Sequence, residues 1–553
     1  MAGGVALPVA AQQVAPSRVT PESLRPSAPA APEIELPSGA APAAPTGAAN
    51  LSVAVGKVEV GGTFPGFEGE TQAIVGPLQG KRVTVAELYA AASALEHAYA
   101  AAGYILARVV VPPQRLVDGG PARLEVVDGV IERVDVSAVP ERERAVVSAR
   151  MVGIVGEPHV TLAAIERRLL LVGDLPGISL KSTLAQGTTP GGTLLVVEAT
   201  QQLVTGSLGI DDRLPQSLGI WTLNGTAAIN DAFGLGEQAY VSYSTSPSDF
   251  GVPRLRVVGG GVVLPIGGDG FTFNPEYTES IARPIPAPGT PALIGDFRRL
   301  ALRANYPAIR SRDETLSLHA ALEWDDETLT AVGFGTKLYQ DDYGAARVGA
   351  HDERILPWGA TAVFDGTFSH GLAGRDGTTV LPLSQLGASP VFNKILASAT
   401  LRQPLPGAFE LAVIGHAQTS FGTPLMLSEQ FGLDGSESLS AFASGTFSVD
   451  EGTTLRAELS HPFALALGFA PPLGLSPYLY GAVGRGVSDQ ATAAQKGIVE
   501  AGSAGLGLRS AAAATADGWP LGSTLAVEFG RQFSNVPGER VGYRANVALN
   551  VTF

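Results

Sequence analysis

The strict alternation of residues 543–553, at the end of the chain, constrains the fold more than any other feature. Apolar side chains hold one parity from Tyr543 to Phe553, whereas the other parity is polar except for Ala548. A period of two describes a β-strand with one apolar and one polar face. The segment has about the length that a tilted strand needs to cross a bilayer. It predicts a strand of a barrel with lipid outside and water inside, although an edge strand of a soluble sheet shows the same pattern.

The composition favours a protein built from strands. Charged residues make up 16% of the chain and glycine occurs 68 times, which suits many short strands and turns. There is no cysteine, so disulfides and thiolate metal sites are excluded. The net charge of -15 argues against nucleic acid as a partner, because phosphates need clustered Lys and Arg. The best candidate for a transmembrane helix, the span 462–484, is broken by Pro471 and Pro472.

Residues 1–200 divide into three parts. Residues 1–50 are rich in Ala and Pro and predict a flexible segment; no basic residue precedes Arg18, so a secretory signal is not evident. The pattern of residues 51–128 predicts a strand, a short helix or loop, a capped helix and two further strands, in that order. Residues 129–200 repeat this order. The Thr84 and Glu87 spacing is that of a capping box, which predicts the start of a helix. The repeat predicts two tandem α+β modules.

Residues 201–553 lose helical periodicity and show alternating runs between Gly-rich turns. About 350 residues, at roughly twenty per strand and connection, predict on the order of sixteen antiparallel strands. The acidic groups 325–327 and 341–342 are interpreted as surface-loop charges, and the alternative of a calcium site has no matching ligand spacing. Glycines 259–261 are interpreted as a kink where side chains would crowd.

Several stretches resemble two-partner secretion transporters, the exporters of haemolysin-activator and filamentous-haemagglutinin type. Residues 104–114 and 164–177 resemble the two periplasmic polypeptide-transport-associated (POTRA) modules of that family. Residues 305–312 resemble a strand-to-turn signature of its barrel, and residues 427–432 resemble the start of a long loop, about 427–450, that folds back into the pore. The resemblance implies two POTRA modules followed by a roughly 16-stranded transmembrane β-barrel.

The same resemblance implies a function. The modules of the family lie in the periplasm and bind an unfolded secreted client, which carries an N-terminal secretion domain, beside a sheet edge. The barrel is the pore in the outer-membrane lipid. Tyr543 and the terminal Phe553 resemble the signal read by the barrel assembly machinery. The alternatives are a factor that inserts other barrels and a passive porin, for which the modules would have no purpose.

The loop tip departs from the family pattern. There, an arginine in a Val-Arg-Gly-Tyr/Phe motif reaches an acidic residue on the barrel wall, a directional pairing. Here the matching residues are Ser438, Leu439, Ser440, Ala441 and Phe442, with serine in place of the arginine.

The wall strand departs in the same way. It reads Tyr480, Gly481, Ala482, Val483 and Gly484, with alanine in the acidic position. Because both partners are missing together, we expect a neutral contact that holds the loop differently. Impaired export and a misaligned motif are the alternatives.

No pattern in the chain indicates chemistry. The seven histidines lie in no metal-ligand spacing, and the glycines at 259–261 are followed by no phosphate-binding motif. Nothing resembles a nucleophile elbow. The sequence therefore predicts no cofactor, no metal site and no enzymatic activity.

Overall fold

A computed structural model gives the structure and describes residues 15–26, 33–34, 44–189, 191–247, 251–373, 382–466, 472–491, 495–513 and 521–553. In this part of the chain, two small α+β modules precede a closed antiparallel barrel, as predicted. None of the described helices combines the length and the hydropathy that crossing a membrane requires.

The first module packs its helices on short sheets. Strand β1 (Glu33–Ile34) precedes this module, whose elements are β2 (Ser52–Val55), β3 (Lys57–Gly61), α1 (Glu68–Val75), β4 (Lys81–Thr84), α2 (Val85–Ala101), β5 (Arg108–Val110) and β6 (Pro121–Val127). The predicted capping box is present, since the Glu87 N–H donates to the Thr84 hydroxyl and the Thr84 N–H donates to the Glu87 carboxylate. Leu88, Leu95 and Tyr99 of α2 are fully buried in the core.

The second module repeats this plan with a single sheet. Its elements are β7 (Val130–Asp135), α3 (Arg144–Met151), α4 (Leu162–Gly173), β8 (Ile178–Gln186) and β9 (Gly192–Gln201). The strand order is β1-β8-β9-β7, so β1, from the N-terminal segment, pairs in parallel with the edge strand β8. The buried residues Ile131, Ile165 and Leu169 fix α4 on this sheet.

The barrel closes through pairing of its first and last strands. Its elements are β10 (Val204–Asp211), β11 (Thr222–Asn230), β12 (Gln238–Thr245), β13 (Leu255–Ile266), β14 (Phe271–Ala282), β15 (Leu293–Arg310), β16 (Glu314–Ala331), β17 (Thr336–Ile355), β18 (Thr361–Leu372), β19 (Asn393–Leu405), β20 (Phe409–Thr419), β21 (Phe431–Gly432), β22 (Ser448–Val449), β23 (Glu451–Ser460), β24 (Phe463–Leu465), β25 (Leu473–Val487), β26 (Ile498–Ala512), β27 (Gly522–Ser534) and β28 (Val541–Thr552). Strands β21 and β22 pair with each other inside a loop. With β23 and β24 counted as one interrupted strand, the described residues form the predicted sixteen-stranded barrel.

The two faces of the barrel differ as the terminal strand predicted. On β28, the Tyr543 side chain is 66% exposed on the outside, whereas Asn546 is 3% exposed and faces the lumen. Exposed apolar side chains such as Leu208, Val348 and Leu479 occupy the outer parity of other strands. An apolar exterior and a polar interior are what a barrel in lipid requires.

The structure corrects the interpretation of the acidic groups as surface-loop charges. Asp325 and Glu327 lie in β16 and Asp341 in β17, and all three side chains are buried. Their oxygens accept hydrogen bonds, Asp325 from Arg299 at 3.0 Å and Asp341 from the Ser384 N–H at 2.9 Å. They are charges of the barrel interior, placed there by the alternation of the strands.

Candidate functional site in the barrel lumen

The N-terminal segment enters the barrel lumen. Residues 15–26 were predicted as part of a flexible segment, but they are ordered against the wall. Pro16–Val19 form a turn of 3₁₀-helix, and the Ser17 hydroxyl donates to the Glu327 carboxylate at 2.8 and 2.9 Å. The Leu24 N–H donates to Glu276 at 3.0 Å, and the Leu24 side chain is buried. The segment is short and polar, so its place could not be inferred from local pattern.

Side chains and a glycine of the barrel wall contact this segment. The Glu22 carbonyl accepts hydrogen bonds from Arg299 at 3.2 Å and from Arg303 at 2.6 Å. At Gly259, an added Cβ would lie 2.8 Å from the Leu24 Cδ1 atom and 2.3 Å from the Tyr277 carbonyl oxygen. The crowding predicted at glycines 259–261 is therefore present, and part of it comes from the chain's own N-terminal segment.

A long loop also enters the lumen. It connects Thr419, the end of β20, to Glu451, the start of β23, and so begins earlier than the predicted range 427–450. Glu429 fixes its first part: the carboxylate accepts hydrogen bonds from Arg347 at 2.6 Å and from the Tyr343 hydroxyl at 2.6 Å, and lies 2.7 Å from Lys394. These donors keep the buried Glu429 carboxylate in place, because loss of a partner would leave a buried charge unpaired and destabilise the protein.

All the predicted residues of the loop tip are buried in the barrel. They are Ser438, Leu439, Ser440, Ala441 and Phe442. On the facing wall strand, Tyr480 and Ala482 are buried, and an added Cβ at Gly484 would lie 3.1 Å from Leu439 Cδ1.

The tip meets the wall through two different surfaces. Leu439 and Phe442 belong to one buried apolar cluster with Ala482. This contact between the tip and the wall is apolar. Ser440 instead lies in a polar network: its carbonyl accepts a hydrogen bond from Asn546 at 2.7 Å, and its hydroxyl donates to Glu528.

Sequence reasoning missed the charged residues of this network, Arg456, Glu458, Arg509 and Glu528. Arg456 and Glu458 lie two positions apart on β23, and their parity alternates with the outward-facing Leu455 and Leu459. Two opposite charges on the lumen face of the strand that directly follows the loop could have indicated a polar contact with the loop. Arg509 and Glu528 come from β26 and β27, so no local pattern connects them to the loop.

The second module is clamped to the periplasmic side of the barrel. Arg310, the last residue of β15, makes two hydrogen bonds to Asp174, at 2.7 and 2.9 Å. Arg312 pairs with Glu166 of α4 at 3.1 Å. The segments 164–177 and 305–312, which separately carried the resemblance, therefore contact each other.

Comparisons with known proteins agree on the architecture. Residues 191–510 match the family described as haemolysin secretion/activation protein ShlB/FhaC/HecB, and residues 53–129 match the ShlB-type POTRA domain. The outer membrane transporter CdiB of Escherichia coli is 26% identical over 425 residues, which cover 73% of this chain and 68% of CdiB. A solved structure of E. coli CdiB aligns with a TM-score of 0.69 at 21% identity, over 98% of this chain and 94% of that one. CdiB from Acinetobacter baumannii aligns with a TM-score of 0.60 at 16% identity, over 91% and 90%.

Proposed function

Because the chain belongs to the family of haemolysin secretion/activation proteins ShlB, FhaC and HecB, we propose that it exports an unfolded secreted client through its barrel. It is a two-partner secretion transporter of the outer membrane, with its N-terminal modules in the periplasm. The client carries an N-terminal secretion domain, binds the modules at 51–128 and 129–200, threads the pore and folds outside. Folding outside supplies direction, since the periplasm offers no nucleotide.

One observation carries this proposal: the chain's own N-terminal segment contacts both places that a client must use. Residues 33–34 pair in parallel with Lys181 and Ser182 on the edge strand of the second module. Residues 15–26 lie in the lumen. Strand addition supplies main-chain hydrogen bonds without a requirement for a particular sequence, which suits an unfolded client. A client on the same route must displace this segment.

The test is a reversible tether at that edge. The chain has no cysteine, so Glu33→Cys with Lys181→Cys creates a single pair at registered positions. With a candidate client encoded nearby, we expect export into the medium to stop under oxidising conditions and to resume after reduction. Each single variant is the matched control. Equal export from the oxidised and reduced tether would contradict the use of this edge.

The export assay, together with deletion of the protein, separates the alternatives. A passive porin would conduct small solutes and would export no client in either redox state. A factor that inserts other barrels would change the amount of other outer-membrane proteins when it is deleted. The occupied lumen favours the exporter over the porin, because residues 15–26 and the loop obstruct free diffusion.

A further inference from the structure

We propose that Arg456, on the barrel wall, is the residue that anchors the pore loop, in place of an arginine on the loop itself. This inference rests on the proposed export function for its purpose, since the loop lies in the client's path. Its evidence is a set of contacts at the loop tip that the family pattern does not describe.

The Arg456 guanidinium is completely buried at the loop tip. Its Nη1 donates to the Ser440 hydroxyl oxygen at 2.6 Å and, more weakly, to the Ser438 carbonyl at 3.4 Å. Its Nη2 donates to Glu528 at 2.6 Å, and the Arg456 Cζ atom lies 3.8 Å from the centre of the Tyr480 ring. One planar fork thus joins the tip to the wall, which is the geometry for which arginine is suited.

The direction of the contacts is reversed relative to the family pattern. The loop tip from 438 to 442 carries no charged side chain. Its contacts use mainly acceptors: the Ser438 carbonyl and the carbonyl and hydroxyl oxygens of Ser440. The wall supplies the donors, Arg456 and Asn546. An anchor is therefore present although the loop has lost its arginine.

The charges of the anchor balance within the wall. Arg456 Nε donates to Glu458 at 2.7 Å, and Arg509 makes two hydrogen bonds to Glu458, at 2.7 and 2.8 Å. With Glu528, the network contains two arginines and two glutamates. When the loop leaves, no opposite charges are separated, whereas withdrawal of a loop arginine would leave an unpaired buried charge on the wall. The loop is thus fixed at rest and can be released without that penalty.

Accessibility of a thiol at the loop tip tests the anchor. Ala441 is fully buried, and Ala441→Cys gives the protein a unique thiol. The full-length protein is reconstituted in liposomes and treated with a charged thiol reagent. We expect slow labelling, and labelling about tenfold faster or more after Arg456→Gln, because hydrogen bonds to a charged group are lost. Arg402→Gln is the matched control: it removes a wall arginine that pairs with Glu410 between β19 and β20, outside the network at the loop tip, and should leave the rate nearly unchanged.

A double-mutant cycle distinguishes an anchor from general support of the wall. If Arg456 acts through Ser440, then Arg456→Gln should accelerate labelling much less when Ser440→Ala is already present. The same acceleration in both backgrounds, or equal effects of Arg456→Gln and Arg402→Gln, would overturn the proposal. Resistance of the barrel to SDS before heating checks folding of each variant. If Arg456→Gln does not fold, Arg456→Lys, which keeps the charge but loses the fork, is measured with the same expected direction. Labelling involves no client, so its outcome is independent of the export assay.

Discussion

At the scale of single residues, Arg456 contacts the loop tip from the barrel wall. Ser440→Arg combined with Arg456→Ser would move the guanidinium from the wall to the loop, where it can still reach Glu528. We expect the loop to be held in the relocated variant, because the charge and its carboxylate partner remain together. Ser440→Arg alone should loosen the loop, because two guanidinium groups would then share the same pocket. Single-channel conductance noise in planar bilayers measures both effects.

Wall position 482, where the family resemblance implies an acidic residue, gives the comparison variant. Ser440→Arg with Ala482→Asp introduces the arginine and acidic pair that the family resemblance implies at these two positions. In the structure Ala482 lies in the apolar cluster with Leu439, so an aspartate there would be buried beside apolar side chains while Arg456 remains. We therefore expect more conductance noise from this pair than from the relocated variant. The opposite order would show that Arg456 does not occupy the role of the loop arginine.

Glu132 makes the stability of the second module dependent on pH. Its carboxylate accepts hydrogen bonds from the Thr188 hydroxyl and from the N–H groups of Thr189 and Thr188, which lowers the pKa of Glu132 from 4.5 to about 2. A carboxylate with a lowered folded-state pKa stabilises the fold above its unfolded pKa, and this contribution is lost as the pH falls through the folded value.

The expected result is a pH-dependent difference in melting temperature. Glu132→Gln should lower the melting temperature of the module in the full-length protein at neutral pH, as followed by calorimetry. The difference from the unsubstituted protein should shrink below pH 4.5 and disappear near pH 2. Glu198→Gln, at an exposed position of β9, is the control. A difference that stays constant down to pH 2 would contradict the role of the Glu132 charge.

At the scale of elements, residues 15–26 of the N-terminal segment lie in the lumen against the barrel wall. Leu24 is buried against the wall, and its N–H donates to Glu276. Leu24→Asp would place a second carboxylate beside Glu276 in a buried site, so we expect the segment to leave the wall. The measurement is single-channel conductance, which should rise in amplitude or open probability.

A neighbouring position gives the control for this prediction. The Glu22 side chain is exposed, and the residue contacts Arg299 and Arg303 through its carbonyl oxygen. Glu22→Ala retains that carbonyl, so its conductance should match that of the unsubstituted protein. If Glu22→Ala opened the pore as much as Leu24→Asp, the burial of Leu24 would not be what holds the segment.

Local signals were sufficient to predict the elements but not their contacts. The capping box at Thr84 and Glu87 lies within one helical turn, and the alternation of residues 543–553 lies within one strand. Both were read correctly, because the physical cause lies in adjacent residues. Ser17 and Glu327 are 310 positions apart, and their contact depends on a lumen that exists only after the barrel closes. The segment 1–50 therefore read as flexible.

At the scale of the whole molecule, closure of the barrel depends on the pairing of β10 with β28, which we call the seam. Strands β10 and β28 share the register from Ser207 with Thr552 to Asp211 with Ala548, a shorter ladder than that between β27 and β28. At its end, Gly206 and Phe553 exchange two main-chain hydrogen bonds of 3.0 Å. The terminal aromatic residue thus lies at the position where the first strand meets the last.

The side chain of Phe553 leaves no room for a larger residue at position 206. A Cβ at Gly206 would lie 2.5 Å from the Phe553 Cζ atom and 2.8 Å from the Thr226 carbonyl oxygen, and a backbone oxygen cannot move aside as a side chain can. Gly206→Val should therefore weaken closure of the barrel. The measurements are the fraction of unheated protein that resists SDS and the amount of protein in the outer membrane, and both should fall. Gly481→Val adds the same group on β25, where nothing lies within 4 Å, so its yield should be unchanged. Since both variants also raise strand propensity, equal losses would place the defect outside the seam, whereas a loss confined to Gly206→Val would locate it at the junction on which the closed lumen depends.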